Sequence, residues 1–128
     1  MSLAWVHENV LFKEDLVSLE GIEGIGLVDF NLLPKNLEHL GSKVKHVIDH
    51  HVDNGAYKDT CITRKVQLMG SATSLVTNSY FEKGFEIDSD LALFLSAPIS
   101  LDTYNFKDDL YGHKWNDIDR DAFKLLQE

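Results

Sequence analysis

Val44-Lys45-His46-Val47-Ile48-Asp49-His50-His51 opens as an apolar run and closes on an acid and two histidines. Its aliphatic residues are β-branched and neither Gly nor Pro interrupts it, so it reads as a strand that ends at Asp49. The earlier run Ile25-Gly26-Leu27-Val28-Asp29 has the same form, an apolar approach to a carboxylate. Between the two, Leu32, Leu33, Leu37 and Leu40 suggest a helix, with Pro34 able to begin it and Gly41 able to end it. Two strands joined by a helical crossover make a right-handed βαβ unit and hence a parallel sheet. The expected fold class is α/β, a three-layer sandwich with a mainly parallel sheet.

Upstream, the pattern predicts a short strand near Val10 to Phe12 and helical turns from Lys13 to Leu19. Downstream, residues 52–61 carry Asp53, Asn54, Gly55 and Asp59 and read as a polar loop, followed by a strand from Thr63 to Leu68. Leu75, Val76, Tyr80 and Phe81 then share one face of a helix that starts after Gly70-Ser71 and closes at Gly84. Asp88 and Ser89 cap another helix, Asp90 to Ala97, which Pro98 should end. Ile99-Ser100-Leu101-Asp102 is again an apolar approach to an acid. A last amphipathic helix runs from its N-cap Asn116 to Leu126.

The 128 residues suffice for one core and not for two. With 44% hydrophobic and 26% charged residues, the disordered, collagenous and membrane-spanning classes drop out. Twelve basic against 21 acidic residues give a net charge of -9, which repels a phosphate backbone and disfavours nucleic acid as a partner unless a metal inverts the local sign. No apolar run approaches the roughly 20 residues of a membrane span, and no signal-peptide pattern precedes the first strand. Cys61 is the single cysteine, which excludes a disulfide framework and a multi-cysteine zinc site. A cytoplasmic setting is expected.

Asp29, the run Asp49-His50-His51, and Asp102 each follow an apolar segment at the point where it gives way to a loop. Ligands of open α/β sheets gather at the carboxyl ends of the strands, so these residues can converge there. Neighbouring parallel strands lie about 4.8 Å apart, which lets Asp29 and the Asp49-His50 end share a small cation. Oxygen-rich ligation with one or two imidazoles suits Mn2+ or Mg2+ better than zinc. Other readings of the same residues are helix caps, or a carboxylate pair working as acid and base; the latter leaves two consecutive histidines unexplained. Gly70-Ser71-Ala72-Thr73 is a small-residue turn opening a helix, whose amides can hold a phosphate or serve simply as an ordinary capped start.

Leu27-Val28-Asp29, Val47-Ile48-Asp49-His50-His51, Met69-Gly70-Ser71-Ala72-Thr73 and Leu101-Asp102-Thr103, with Asn31 and Asn105-Phe106, stand in the order of motifs found in the DHH phosphoesterase superfamily. Within it the chain resembles the prune-like exopolyphosphatases, relatives of the family II inorganic pyrophosphatases. The resemblance implies a two-metal phosphohydrolase, dependent on manganese or magnesium, that removes orthophosphate from polyphosphate or cleaves another small phosphoanhydride. It implies that Asp29, His50 and Asp102 bind metal, that His51 faces the substrate, and that Asp49 orients the histidine pair.

The pattern departs from the family in three places. No aspartate-rich first motif occurs in residues 1–28, no basic C-terminal domain follows, and Phe30 stands where relatives have His. Residues 1–128 are thus expected to be a partial DHH domain lacking its first strand and its substrate clamp, with impaired turnover and an exposed sheet edge able to pair with a second copy. Two alternatives remain: a non-catalytic interaction or metal-binding module on a decayed phosphoesterase fold, and a receiver-like α/β domain with a single magnesium site.

Overall fold

The structure is a computed structural model and describes residues 20–128. Strands β1 (Ile25–Val28), β2 (Val44–Asp49) and β3 (Thr63–Val66) form a parallel sheet in the order β1-β2-β3. The α/β class and the parallel sheet expected from the sequence are both present. Leu27 pairs with Val47 and Val28 with Ile48, so β1 and β2 finish side by side and release Asp29 and His50 at the same edge. The strand near Val10 and the turns to Leu19 lie outside the described residues.

The crossover between β1 and β2 differs from the expected α-helix. Lys35–Lys43 is a 3-10 helix, Pro34 is its N-cap in extended conformation, and Gly41 lies inside it. Asn36, Gly41 and Ser42 are poor α-formers, and the 3-10 winding, with its longer rise per residue, spans the crossover while burying Leu40. Leu33 and Leu40 are buried there against Leu27, Val44 and Val47, the apolar core under the sheet.

No helix joins β2 to β3, as the polar composition of residues 52–61 implies. That loop is pinned by its own side chains. The Tyr57 hydroxyl accepts a hydrogen bond from the Leu33 amide at 3.0 Å, and the Arg64 guanidinium donates to the Ala56 carbonyl at 3.0 Å and to both oxygens of Asp53. The hydrogen bonds from Arg64, reinforced by the Gly55 amide, pull the Asp53 carboxyl down to about 2. A carboxylate whose folded pKa is depressed stabilises the fold above its unfolded value, and that contribution is lost as pH falls through about 2. Carboxyl NMR titration should place the Asp53 midpoint near 2, and Arg64→Gln should return it toward the ordinary 3.8. A normal midpoint in the unaltered chain would contradict the pairing.

Beyond Val66 the ladder gives out earlier than the expected Leu68. The Gln67 amide still donates to the Asp49 carbonyl at 3.1 Å, whereas the Leu68 carbonyl turns to accept from the Asn116 side chain at 3.3 Å. Helix α1 (Ala72–Glu82) follows, capped by Ser71 and closed by Gly84 at φ 70°. Helix α2 (Ser89–Asp102) begins at its Asp88 cap but does not stop at Pro98. Proline removes one donor and crowds the carbonyl four residues back. Here that carbonyl belongs to Phe94, which is exposed, while buried Leu95 and Ile99 hold the other face of α2 against Ala122 and Leu126. Packing therefore carries the helix through the proline to Asp102.

Tyr104, Asn105 and Phe106 then take left-handed φ values of 54°, 53° and 57°. Consecutive left-handed residues with side chains are strained, and the surrounding contacts maintain them. The Asn105 amide donates to the Ser100 carbonyl at 2.7 Å, and the Phe106 ring packs on Trp115 and Phe123 at centroid distances of 5.4 and 5.2 Å. Helix α3 (Asp117–Leu125) closes the chain with a capping box in which Asn116 and Asp119 satisfy each other's backbone, as the Asn116 cap predicts. Among the described residues no helix is long and apolar enough to cross a membrane.

Candidate metal centre

Asp29 leaves β1 with its amide still donating to the Ile48 carbonyl at 3.0 Å and with φ at 69°. Aspartate tolerates this left-handed conformation better than most residues, and the turn carries its carboxylate to the end of β2. There Asp29 Oδ1 stands 3.0 Å from His50 Nε2 and 4.0 Å from His51 Nδ1. One ligand atom from each of Asp29, His50 and His51 lies within 4.8 Å of the others.

The opposite side of the His50 ring fixes what its Nε2 can be. His50 Nδ1 is 3.1 Å from the Met69 carbonyl, which can only accept, so Nδ1 carries the hydrogen. In a neutral ring Nε2 is then a bare lone pair directed at a carboxylate oxygen 3.0 Å away. Two acceptors hold that separation only with a positive charge between them, a shared proton or a metal ion. Ligands about 2.1 Å from an octahedral cation stand about 3 Å apart, so the donor set and its spacing fit a divalent ion. A backbone carbonyl behind a ligating imidazole is also the usual device for fixing its tautomer.

Asp49 is wholly buried beneath the pair. Its Oδ1 accepts from the His50 amide and from His51 Nδ1, each at 2.8 Å, and its Oδ2 accepts from the Asn31 side chain at 2.5 Å. Asp49 thus orients the His51 ring, whereas Met69 orients that of His50, a division the sequence did not reveal. Burial pushes the Asp49 carboxyl up, but the hydrogen bonds from His51 and Asn31 outweigh it and hold the group below its ordinary value. Conversely, the hydrogen bond to Asp49 raises the His51 pKa against a smaller effect of burial. Asn31 ties this assembly to the following loop, donating to the Val52 carbonyl at 3.0 Å and accepting from the amide and side chain of Asn54 at 3.0 and 2.9 Å.

Asp102 ends α2 and does not join the group of ligand atoms around Asp29. Its Oδ2 accepts from Ser71 Oγ at 2.5 Å. The structure therefore brings together Asp29, His50 and His51, while Asp102 lines a cleft that His50 and His51 also line. This open cleft of about 510 Å³ is lined by His50, His51, Gly70, Asp102, His113 and Lys114, among others.

On Gly70-Ser71-Ala72-Thr73, the turn expected to hold a phosphate, three of the amides have partners inside the chain. The amides of Gly70 and Ser71 donate to the two oxygens of Asp119 at 2.9 and 3.1 Å, and the Thr73 amide donates to Ser71 Oγ at 3.3 Å. An internal carboxylate takes the Gly70 and Ser71 amides, and an ordinary cap takes that of Thr73. Gly70 has a steric role as well: a Cβ there would overlap the Lys114 carbonyl and lie 2.9 Å from Thr103 Cγ2.

Asp119 is the residue that sequence reasoning missed. Fully buried, it also accepts from Ser74 Oγ at 2.8 Å and from the Asn116 amide at 3.0 Å. The only local signal was its place after the Asn116 cap. By holding residues 70 and 71 it fixes the segment whose Met69 carbonyl orients His50 and whose Ser71 hydroxyl orients Asp102.

No protein-family model matches the chain. Among curated proteins it is 28% identical over 98 residues to the "Probable manganese-dependent inorganic pyrophosphatase" of Staphylococcus carnosus strain TM300, covering 76% of this chain and 30% of that one. The protein of the same description from Staphylococcus haemolyticus strain JCSC1435 is 30% identical over 91 residues, covering 70% of this chain and 29% of the relative. The chain thus spans about a third of the length of the curated relatives it matches. Among solved structures, a Methanococcus jannaschii protein described as a family II inorganic pyrophosphatase matches with a TM-score of 0.52 and 27% identity, over 66% of this chain and 28% of that one. The chain is related in sequence to manganese-dependent inorganic pyrophosphatases and shares part of its fold with one whose structure is solved.

Proposed function

We propose that this chain carries the metal-holding part of a DHH-type phosphoanhydride hydrolase, of prune-like exopolyphosphatase type, that uses Mn2+ or Mg2+ to release orthophosphate from polyphosphate or pyrophosphate. The observation that carries the reading is the 3.0 Å approach of Asp29 Oδ1 to His50 Nε2, on a ring whose other nitrogen is held by the Met69 carbonyl. Asp29 and His50 would hold the ion, with Asp102 as a further ligand from the cleft wall. When bound, a divalent cation offsets the charge on phosphate oxygens and polarises the phosphorus centre.

The remaining steps belong to this chain's own side chains. His51 keeps its Nδ1 hydrogen on Asp49 and retains a second proton to higher pH than a free imidazole, so as water attacks phosphorus and the bridging P–O bond breaks, its exposed ring can give that proton to the departing phosphate oxygen. Asp49 holds the ring in place and stabilises its charge. Asn31 in turn holds Asp49. The net charge of -9 explains why cations must stand between chain and polyanion.

The ligand set predicts slow turnover. Phosphate release from pyrophosphate and from a short polyphosphate should depend on added manganese, exceed the metal-free rate, and vanish in His51→Ala. Absence of release at saturating manganese rejects the catalytic reading in favour of a metal-binding module on a decayed phosphoesterase fold.

A further inference from the structure

The cleft has a second side, which neither the ligand group nor the sequence motifs account for. His113 and Lys114 stand on it, in the loop between the 3-10 turn Asp108–Leu110 and α3. This loop is held on both flanks. The amides of His113 and Lys114 donate to the Leu110 carbonyl at 3.1 and 2.9 Å, the Gly112 amide donates to the Trp115 carbonyl at 2.8 Å, and buried Trp115 donates through Nε1 to the Lys107 carbonyl at 2.8 Å. The absence of a side chain at Gly70 lets the Lys114 carbonyl come into contact with the turn that also carries Met69. The loop is thereby set directly against the segment that orients His50.

The Lys114 side chain is placed as well. Its Nζ lies 5.8 Å from the centroid of the Tyr104 ring, which lines the same cleft. Among the described residues no carboxylate forms an ion pair with Lys114, although Asp102 lines the same cleft. A lysine held over an aromatic face, in a chain of net charge -9, presents its charge to the cleft instead of neutralising a neighbour.

We infer that Lys114 is an anion-holding residue of this cleft, gripping the phosphate group of a phosphoanhydride that lies away from the Asp29-His50-His51 group. The inference rests on the phosphoanhydride reading above. A ligand with one phosphate at the metal group and a second beyond it meets an ammonium donor there, and a single phosphate does not need it.

Manganese binding is measured first by calorimetry, then binding of imidodiphosphate and of orthophosphate to the manganese-loaded chain. Lys114→Gln should leave manganese affinity within about twofold, weaken imidodiphosphate about tenfold, and weaken orthophosphate less than about threefold, with Lys114→Arg restoring most of the loss. Equal imidodiphosphate affinity in Lys114→Gln overturns the inference while leaving the metal reading intact. An equal loss for both ligands also overturns it, because Lys114 would then act only through general charge. If the unaltered chain binds no manganese, the underlying reading fails and this inference falls with it.

Discussion

Replacing Asp119 with alanine is expected to cost about 4 kcal/mol of folding stability, because it strips a buried acceptor from several donors at once. The Gly70 amide, the Ser71 amide, the Ser74 hydroxyl and the Asn116 amide all donate to this one carboxylate. Each buried donor left without a partner costs about 1–3 kcal/mol, and partial entry of water would offset some of the sum. Asp119→Asn keeps one acceptor oxygen but turns an NH2 group toward amides that themselves donate, so about half the loss should remain. Urea unfolding of the two variants measures this; a change below about 1 kcal/mol for alanine would remove Asp119 from its position between α1 and α3. Because the Met69 carbonyl and the Ser71 hydroxyl depend on the same segment, manganese affinity in the still-folded asparagine variant should also drop about tenfold.

The origin of this effect shows what the sequence could and could not disclose. β1 and β2 were readable because a strand that ends on a carboxylate leaves a short, sharp pattern, and their common form placed Asp29 beside His50 before any coordinates. Asn116 was readable because caps are local. The span of α2 was not: Pro98 argues for a stop, and only the burial of Leu95 and Ile99 against α3 overrides it. The 3-10 winding of Lys35–Lys43 was hidden for a similar reason, since leucine spacing does not separate the two helix types over so short a run.

Asp119 and Lys114 escaped notice because their roles depend on partners far away in sequence. Gly70-Ser71 read as an anion site, and an anion does sit there, but it is the side chain of Asp119 from the start of α3. Asp102 read as a metal ligand; the structure places it on the cleft wall with a hydrogen bond from Ser71, a tertiary contact that no local pattern announces. The resemblance to phosphoesterases ordered the motifs; the division of labour between Met69 and Asp49 behind the two histidines needed the three-dimensional arrangement.

The largest functional effect should come from the pair Asp29 and His50. Asp29→Asn is the clean substitution, since asparagine also tolerates the left-handed φ of 69° and only the charge and one acceptor change. His50→Ala removes the imidazole that Met69 fixes. Either change should weaken manganese binding by about 100-fold or more while leaving the unfolding midpoint near that of the unaltered chain, because both side chains stand at the cleft and not in the apolar core. The direct measurement is electron spin echo spectroscopy of Mn2+ bound to the chain. Nitrogen modulation from coordinated imidazole is expected, and it should lose its main component in His50→Ala. A bound ion surrounded by oxygen alone, or a nitrogen signal indifferent to that substitution, would contradict the account.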